Sequence, residues 1–166
     1  MARFQHTLDE SVFQELVSRY LNGAFAASSA ILRERTRAED AVQEAFVRVI
    51  QARGQYKPSR PFAPWFYAIV RNVCRDIQRE LERQPRAASD YVRAGGEPVS
   101  PGMTCTELLE GLSESEQEVL MLRIVEDMPF FNIAMVLDCS VEAAKKRYQR
   151  ALDELRRRRG ARQEKS

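Results

Sequence analysis

Apolar residues recur at helical spacing along nearly the whole chain, and no run alternates apolar and polar residues with the period of two that marks a half-buried strand. Such a chain buries its apolar side chains by packing helix faces against one another. We therefore expect an all-α protein. With 166 residues, the chain is long enough for one ordinary domain or two small ones.

The helical pattern is interrupted between residues 84 and 106. Periodicity disappears in this stretch, which has little to bury and is rich in proline and glycine. The residues that punctuate it are Pro85, Gly95, Gly96, Pro98, Pro101 and Gly102. We predict two small helical domains, over residues 1–83 and 107–166, joined by a flexible linker over 84–106.

Each domain is expected to contain three helices. Those of the first lie at about residues 8–24, 36–54 and 61–83, and those of the second at about 114–125, from 129 onward, and from 140 onward. Capping residues stand at three of the helix starts, namely Thr36 with Glu39, Ser113 with Glu116, and Ser140. Only residues 138–140 separate the last two helices, and so short a turn predicts a helix-turn-helix.

The cysteines and the histidine offer little to a metal or a disulfide. Cys74, Cys105 and Cys139 are far apart in the chain, and His6 is the only histidine. We therefore expect no metal site, no cofactor and no catalytic residue. No apolar run approaches the ~20 residues that cross a bilayer, and the amino terminus lacks a secretory signal, so we expect a cytoplasmic protein without membrane insertion.

The last helix carries a basic face opposite its apolar stripe. Glu142, Ala143, Lys146, Arg147 and Arg150 fall on that face. In a helix-turn-helix the second helix enters the major groove, where its first turns contact base edges and its cations also hold phosphates. Glu142 and Lys146 are the candidates for base contacts, and Arg147 and Arg150 for phosphates. The alternative is an ordinary solvated face.

The third helix and the loop before it combine aromatic residues with cations. Tyr67, Arg71 and Arg75 are expected on the outer face of the helix, while Trp65 and Phe66 are expected in the core. The loop supplies Tyr56, Lys57, Ser59 and Arg60. Single-stranded nucleic acid needs this mixture, because its bases stack on aromatic rings and its phosphates need neutralising. The alternative is an amphipathic helix with a surface loop.

The second helix places an apolar residue among polar ones on its outer face. Asp40, Glu44, Val47 and Gln51 share this face, with Gln43 nearby. Such a surface could dock another helix. A single exposed valine is also common on protein surfaces and needs no functional explanation.

Four segments, taken in order, resemble one family, the extracytoplasmic-function sigma factors. Residues 37–46 are similar to the family's acidic segment D-A-E-D-x-x-Q-E-x-F, and residues 62–72 to its segment F-x-x-W-L-x-x-I-A-R-N. Residues 112–120 resemble the entry to the family's carboxyl-terminal domain, and residues 140–147 its recognition helix. The resemblance covers nearly the whole chain.

The resemblance implies a fold, a function and three sets of contact residues. It implies a sigma region 2 bundle and a sigma region 4 helix-turn-helix that direct core RNA polymerase to promoters. Contacts with the clamp helices of the largest polymerase subunit would come from Glu39, Asp40, Gln43, Glu44 and Val47. Contacts with the minus-10 element would come from Tyr56, Lys57, Ser59, Arg60, Tyr67, Arg71, Asn72 and Arg75. Contacts with the minus-35 element would come from Ser140, Glu142, Ala143, Lys145, Lys146, Arg147 and Arg150. The polymerase flap is a further expected partner.

The chain departs from the family pattern at two places in its last two helices. Ala143, Ala144 and Lys146 replace the usual residues of the recognition helix, which predicts an unusual promoter preference. In the preceding helix Phe131 and Met135 stand where relatives carry charge, and a helical projection turns them, with Met128, away from the apolar face. We expect this patch to bind an anti-sigma factor, or the first domain in an inactive closed state. The alternative is packing within the second domain.

Three other classes of protein are alternatives to a sigma factor. A helix-turn-helix repressor or activator would dimerise through its first helices and bind duplex DNA without polymerase. A helical-bundle enzyme would need clustered acid, base or metal ligands, which one histidine does not supply. An adaptor or anti-sigma protein would leave the basic face of the last helix without a purpose.

Overall fold

The computed structural model describes residues 9–83, 109 and 111–163. Within these ranges the backbone forms α-helices and no strand, so the all-α prediction is confirmed. The helices are α1 (Glu10–Leu32), α2 (Arg35–Ala52), α3 (Phe62–Arg83), α4 (Glu114–Leu120), α5 (Phe130–Leu137) and α6 (Val141–Gln163). A 3₁₀ turn (Arg53–Gln55) follows α2, and a π-helical turn (Met121–Val125) continues α4. The predicted linker, residues 84–106, lies outside the described residues.

Helices α1 to α3 form a first unit around a cluster of aromatic rings. Phe66 of α3 is completely buried, and its ring centroid lies 5.1 Å from that of Phe46 and 5.3 Å from that of Tyr20. Phe62 stacks on Phe66 at 5.7 Å with an interplanar angle of 17°. Buried rings of this size carry much of the apolar area that stabilises a small helical unit. The core therefore fixes α3 between α1 and α2.

Helix α1 extends to Leu32, well beyond the predicted end near residue 24. Its additional turns are held by tertiary packing, because Ala24, Ser28 and Ile31 are buried. Arg33 then ends the helix in a left-handed conformation with φ 56°.

Helices α4 to α6 form a second unit. Helix α6 packs across both α4 and α5, and the rings of Phe130 and Tyr148 meet edge to face at 5.5 Å. The turn before α6 is short because Asp138 adopts a left-handed conformation, with φ 50°, and its N–H bonds back to the carbonyl of Ala134. This is the predicted helix-turn-helix geometry.

The two units share one core. Helix α3 packs against α5, and α1 packs against α4 and the π-helical turn. The buried cluster that contains Val70 and Val73 of α3 continues through Val119, Leu122 and Leu137 of the second unit. Two helical domains were expected, and in this structure their apolar faces are joined.

No helix within residues 9–83 and 111–163 has the length and the hydropathy that crossing a bilayer requires.

Candidate nucleic-acid interface

The outer face of α2 is exposed where the sequence predicted a docking surface. Glu39, Asp40, Gln43 and Glu44 are exposed, and Val47 keeps 44% of its surface accessible. The opposite side of the helix is the buried one, with Ala38, Ala41, Val42, Ala45, Phe46 and Val49. Helical periodicity accounts for this division, since both sets recur at three- and four-residue spacing.

Two carboxylates on this face take part in ion pairs. Glu39 accepts from Arg35 at 2.9 Å, and Glu44 accepts from Arg48 at 2.8 Å. Arg48 also donates to Asp76 of α3 at 2.9 Å. Both hydrogen bonds raise the pKa of Arg48, and the bond to Glu44 is the larger cause. All of these side chains are exposed, so each pair contributes only about 0–1 kcal/mol. The negative charge of the face therefore remains accessible to a cationic partner.

In the loop before α3, the prediction that Tyr56 offers its ring to nucleic acid is wrong. Tyr56 is 5% exposed, its ring contacts those of Phe62 and Trp65, and its hydroxyl donates to the carbonyl of Arg60 at 2.5 Å. An aromatic ring next to an apolar cluster gains more from burial than from solvent. Tyr56 therefore shapes the loop, which leaves Lys57, Ser59 and Arg60 exposed.

On α3 the predicted outer face is wrong for Tyr67 and Arg71. Tyr67 is 2% exposed and Arg71 is 8% exposed, while Arg75 is half-buried and Asn72 is exposed. The physical reason is that α3 is covered on two sides, by α1 and α2 and by the second unit. A helical projection of one segment assumes a single buried side and so misplaces residues that a second unit covers.

Arg71 forms a buried ion pair with Glu118 of α4. Its Nε donates to Glu118 Oε1 at 2.7 Å, and the two side chains are only 10% and 5% exposed. Burial raises the pKa of Glu118, and the facing Arg71 partly opposes that rise. A buried guanidinium needs such a partner, because an unpaired charge in the interior is costly.

Tyr67 packs at the same boundary. The missing side chain at Gly23 of α1 allows the approach, because a Cβ there would clash with the Tyr67 hydroxyl and with Oε1 of Glu126. Burial, followed by the nearby Glu126 carboxylate, raises the pKa of Tyr67 far above its ordinary value. Tyr67 is therefore neutral at any ordinary pH and serves as an interior ring between the two units.

An open cleft between the units is lined by basic side chains from both predicted DNA-binding surfaces. Arg71 and Arg75 reach it from α3, and Arg147 from α6. The carboxylates that line the same cleft are Glu114, Glu118 and Asp138. The cleft is therefore electrically mixed, which differs from the uniformly positive surface that favours nucleic acid.

Helix α6 presents its first turns to solvent. Ser140 caps the helix as predicted, since its Oγ accepts from the N–H of Ala143 at 3.1 Å. Ala144 is fully buried and anchors the helix, whereas Ala143 and Arg147 are half-buried. The exposed residues of the predicted contact set are Ser140, Glu142, Lys145, Lys146 and Arg150.

The predicted regulator patch is exposed at two of its three positions. Phe131 is 66% exposed and Met135 is 48% exposed, but Met128 is 2% exposed, so the prediction for Met128 is wrong. Met128 precedes α5 in a non-helical segment, where its N–H donates to the carbonyl of Leu122 at 3.0 Å, and a helical projection does not apply to it. Four further exposed apolar residues were not predicted from the sequence, namely Leu21, Leu81, Ile124 and Val125.

Glu118 is a further contact residue that was not predicted from the sequence. Its position carries a signal, because Glu118 precedes the buried Met121 and Leu122 by three and four residues and so lies on the apolar stripe of its helix. A carboxylate on such a stripe needs a buried partner.

Family models match both helical units. A model of sigma-70 region 2 matches residues 16–84, and a model of sigma-70 region 4 matches residues 105–155. The first match contains most of α1 and all of α2 and α3, and the second contains α4, α5 and most of α6.

Known sigma factors are similar to this chain over nearly its whole length. The chain is similar to the RNA polymerase sigma factor CarQ of Myxococcus xanthus, with 28% identity over 94% of this chain and 93% of the relative. It is also similar to the ECF RNA polymerase sigma factor SigW of Bacillus subtilis, with 24% identity over 90% of this chain and 89% of the relative.

Among solved structures, the fold is similar to that of the sigma factor RpoE from Bartonella quintana in complex with the anti-sigma factor NepR. The TM-score is 0.74 at 19% identity, over 87% of this chain and 94% of that one. The ordered family matches, the whole-length relatives and the fold agree, and the chain belongs to the extracytoplasmic-function sigma factors of the sigma-70 family.

Proposed function

We propose that this chain binds core RNA polymerase through α2, contacts the minus-10 element through α3 and the loop before it, and contacts the minus-35 element through α6. As a sigma factor it directs promoter-specific initiation of transcription. The observation that carries the residue assignments is the order of the two family matches, each of which falls on a unit with an exposed face of suitable chemistry. The division into domains at residues 1–83 and 107–166 belongs to this proposal.

The polymerase contact is assigned to the outer face of α2. Exposed carboxylates at Asp40 and Glu44 suit basic residues on the clamp helices of the largest subunit, and opposite charges speed the encounter. Val47, on the same face of α2, supplies an apolar contact with the clamp helices. This contact gives α2 a defined register on its partner. Glu39 and Gln43 complete the face. The second unit would contact the flap.

The minus-10 contact is assigned to exposed cations and amides of the first unit. Lys57 and Arg60 hold phosphates, and Ser59 and Asn72 donate hydrogen bonds, because all four are exposed. Melting a promoter requires unstacking at about a few kcal/mol per base, which such contacts can offset. The sigma factor itself supplies no bond-making step, and we assign it no catalytic residue.

The minus-35 contact is assigned to the first turns of α6 in the major groove. Glu142 and Lys146 are placed to reach base edges, and Lys145 and Arg150 to hold phosphates. Because promoters and polymerase are cytoplasmic in bacteria, we also place this protein in the cytoplasm.

Run-off transcription tests the assignment of α2. Purified core polymerase of the source bacterium should initiate at specific sites on genomic promoter fragments only when this chain is added. The double variant Asp40→Lys/Glu44→Lys should lose that activity. The control Glu15→Lys/Glu80→Lys makes the same change of charge at exposed positions elsewhere and should keep it. Equal activity of both double variants would remove the docking role from α2.

A negative result would also be informative. If polymerase does not respond while the chain alone binds duplex DNA, the protein acts as an ordinary helix-turn-helix regulator.

We also propose that an anti-sigma factor binds this chain at Phe131 and Met135. The proposal is supported by their exposure on one side of α5 and by the complex of the structurally similar RpoE with NepR. An inhibitor that copurifies with the tagged wild-type chain should be lost from Phe131→Glu/Met135→Glu. Retention of the inhibitor by a fully helical double variant would move its contact elsewhere.

A further inference from the structure

The boundary between the two units contains a buried ion pair as well as apolar contacts. Arg71 of α3 and Glu118 of α4 are 47 positions apart, yet they meet at 2.7 Å with little access to water. Around them, Tyr67 and Val70 of the first unit face Leu137 of the second across a small apolar cavity. A buried ion pair within an apolar boundary favours one packed arrangement of the units, because any other packed arrangement leaves the two charges buried without partners.

This placement makes α3 inaccessible to DNA. Arg71 and Tyr67, both on the predicted minus-10 surface, are nearly inaccessible, and Arg75 is half-buried. Arg147 of α6 enters the same cleft, where carboxylates balance the cations. A strand of DNA would have to displace the second unit before it could reach Arg71.

The polymerase-docking face is not affected in this way. Helix α2 packs against α1 and α3, and its five docking candidates are exposed. The same arrangement therefore leaves the proposed polymerase contact available while it hides part of the proposed DNA contact.

We propose that the Arg71–Glu118 ion pair holds the two units in a closed resting form that withholds α3 from promoter DNA until the units separate. The proposal rests on the proposed function, because that function assigns α3 to the minus-10 element. Glu118 acts as a competitor for the guanidinium that DNA phosphates would otherwise bind. Free protein is consequently a weak ligand of DNA, which limits unproductive binding away from polymerase.

Small-angle scattering and DNA binding of the full chain test the closed form. Glu118→Gln keeps the shape of the side chain and removes its charge, so the units should separate and the radius of gyration should rise. The affinity for a short fluorescein-labelled single-stranded DNA of mixed sequence should rise by about tenfold, since Arg71 becomes accessible. The matched control is Glu80→Gln, at an exposed carboxylate of α3 that does not line the cleft, which should behave like the wild type.

A second variant separates loss of charge from damage to the fold. Arg71→Met/Glu118→Leu replaces the ion pair by apolar side chains and should stay compact, because such replacements preserve burial. Should Glu118→Gln lose helicity by circular dichroism, Arg71→Gln breaks the pair from the other side and is measured by scattering alone. A fully helical Glu118→Gln or Arg71→Gln variant that is as compact as the wild type would overturn the proposal. Separation without any gain in affinity would overturn it too.

These measurements need no polymerase, so the two proposals can fail independently. If Glu118→Gln separates and gains DNA affinity while the wild type fails in run-off transcription, the closed form stands and the proposed function fails. If the wild type initiates transcription while Glu118→Gln stays compact, the function stands and the closed form fails.

Discussion

Arg71 Nε lies 2.7 Å from Glu118 Oε1, and this contact joins the two helical units across a boundary that neither side chain leaves exposed. Every other ion pair among the described residues has at least one side chain more than a third exposed. Removal of one buried partner leaves an uncompensated charge, whereas removal of both leaves an apolar contact. The energetic role of the pair can therefore be separated from its chemistry by a double-mutant cycle.

The first prediction concerns stability. Glu118→Leu should lower the free energy of unfolding by about 3–5 kcal/mol, because Arg71 loses its buried partner and can reach water only at the expense of the packing between the units. Arg71→Met/Glu118→Leu should recover most of that loss. Urea denaturation followed by circular dichroism measures both, and a double variant as unstable as the single one would contradict the explanation.

An exposed ion pair provides the comparison. Asp76→Asn removes the partner of Arg48 at a site where both side chains reach solvent, and the expected loss is about 0–1 kcal/mol. A loss as large as that of Glu118→Leu would show that burial is not the deciding factor.

The second prediction concerns the loop before α3. Tyr56→Phe removes the hydroxyl that donates to the Arg60 carbonyl at 2.5 Å but keeps the ring against Phe62 and Trp65. We expect a loss of about 1 kcal/mol, whereas Tyr56→Ala should cost about 3–5 kcal/mol because it empties part of the aromatic cluster. Thermal denaturation distinguishes the two. Near-equal losses would mean that the ring contributes little to packing.

The third prediction concerns alkaline pH. Burial raises the pKa of the Cys74 thiol to about 11 from an ordinary value of 9.0. The folded state therefore holds this proton more tightly than the unfolded state does. Stability from this source is present below pH 9.0 and is lost as pH rises towards 11, by at most about 2–3 kcal/mol.

Urea unfolding at successive pH values measures this loss. Cys74→Val should flatten the decline above pH 9, and Cys139→Val, at a half-exposed thiol, should leave it unchanged. Tyr67 continues the decline in both variants, because its raised pKa acts in the same direction. An unchanged slope in Cys74→Val would assign the decline to the tyrosines.

The fourth prediction concerns the minus-35 contact. Arg150→Ala should weaken promoter binding by the polymerase complex roughly equally across sequences and reduce the salt dependence of binding by about one unit of slope. Lys146→Ala should in addition alter sequence preference, because Lys146 lies where base edges are read. Filter binding at several salt concentrations, with Arg156→Ala as the control farther along α6, measures both effects. A salt slope unchanged in Arg150→Ala would remove it from the phosphate contacts.

Local rules predicted much of the structure. Ser140 caps α6, and Ser113 caps α4 with its N–H and hydroxyl both donating to Glu116 at 2.9 and 2.7 Å. The hydrogen bond from the Ser113 hydroxyl is the main cause that lowers the pKa of Glu116, and the bond from the Ser113 backbone N–H adds to it. Thr36 is the exception, because α2 begins at Arg35 and Glu39 pairs with that arginine instead. Caps depend on neighbouring residues, and where a charged neighbour competes, spacing alone is insufficient.

Patterns within single segments were sufficient to predict the helices, the exposed face of α2, the exposed first turns of α6 and the membership of the family. These features depend on residues close together in the chain, where periodicity and motif spacing are informative. The burial of Tyr67, Arg71 and Met128, in contrast, depends on how the helices pack in three dimensions. Periodicity shows how one helix divides into apolar and polar sides, but a second unit can cover a polar side when it supplies a partner such as Glu118. That partner is distant in sequence, and so its contact with Arg71 emerged only once the two units were packed together.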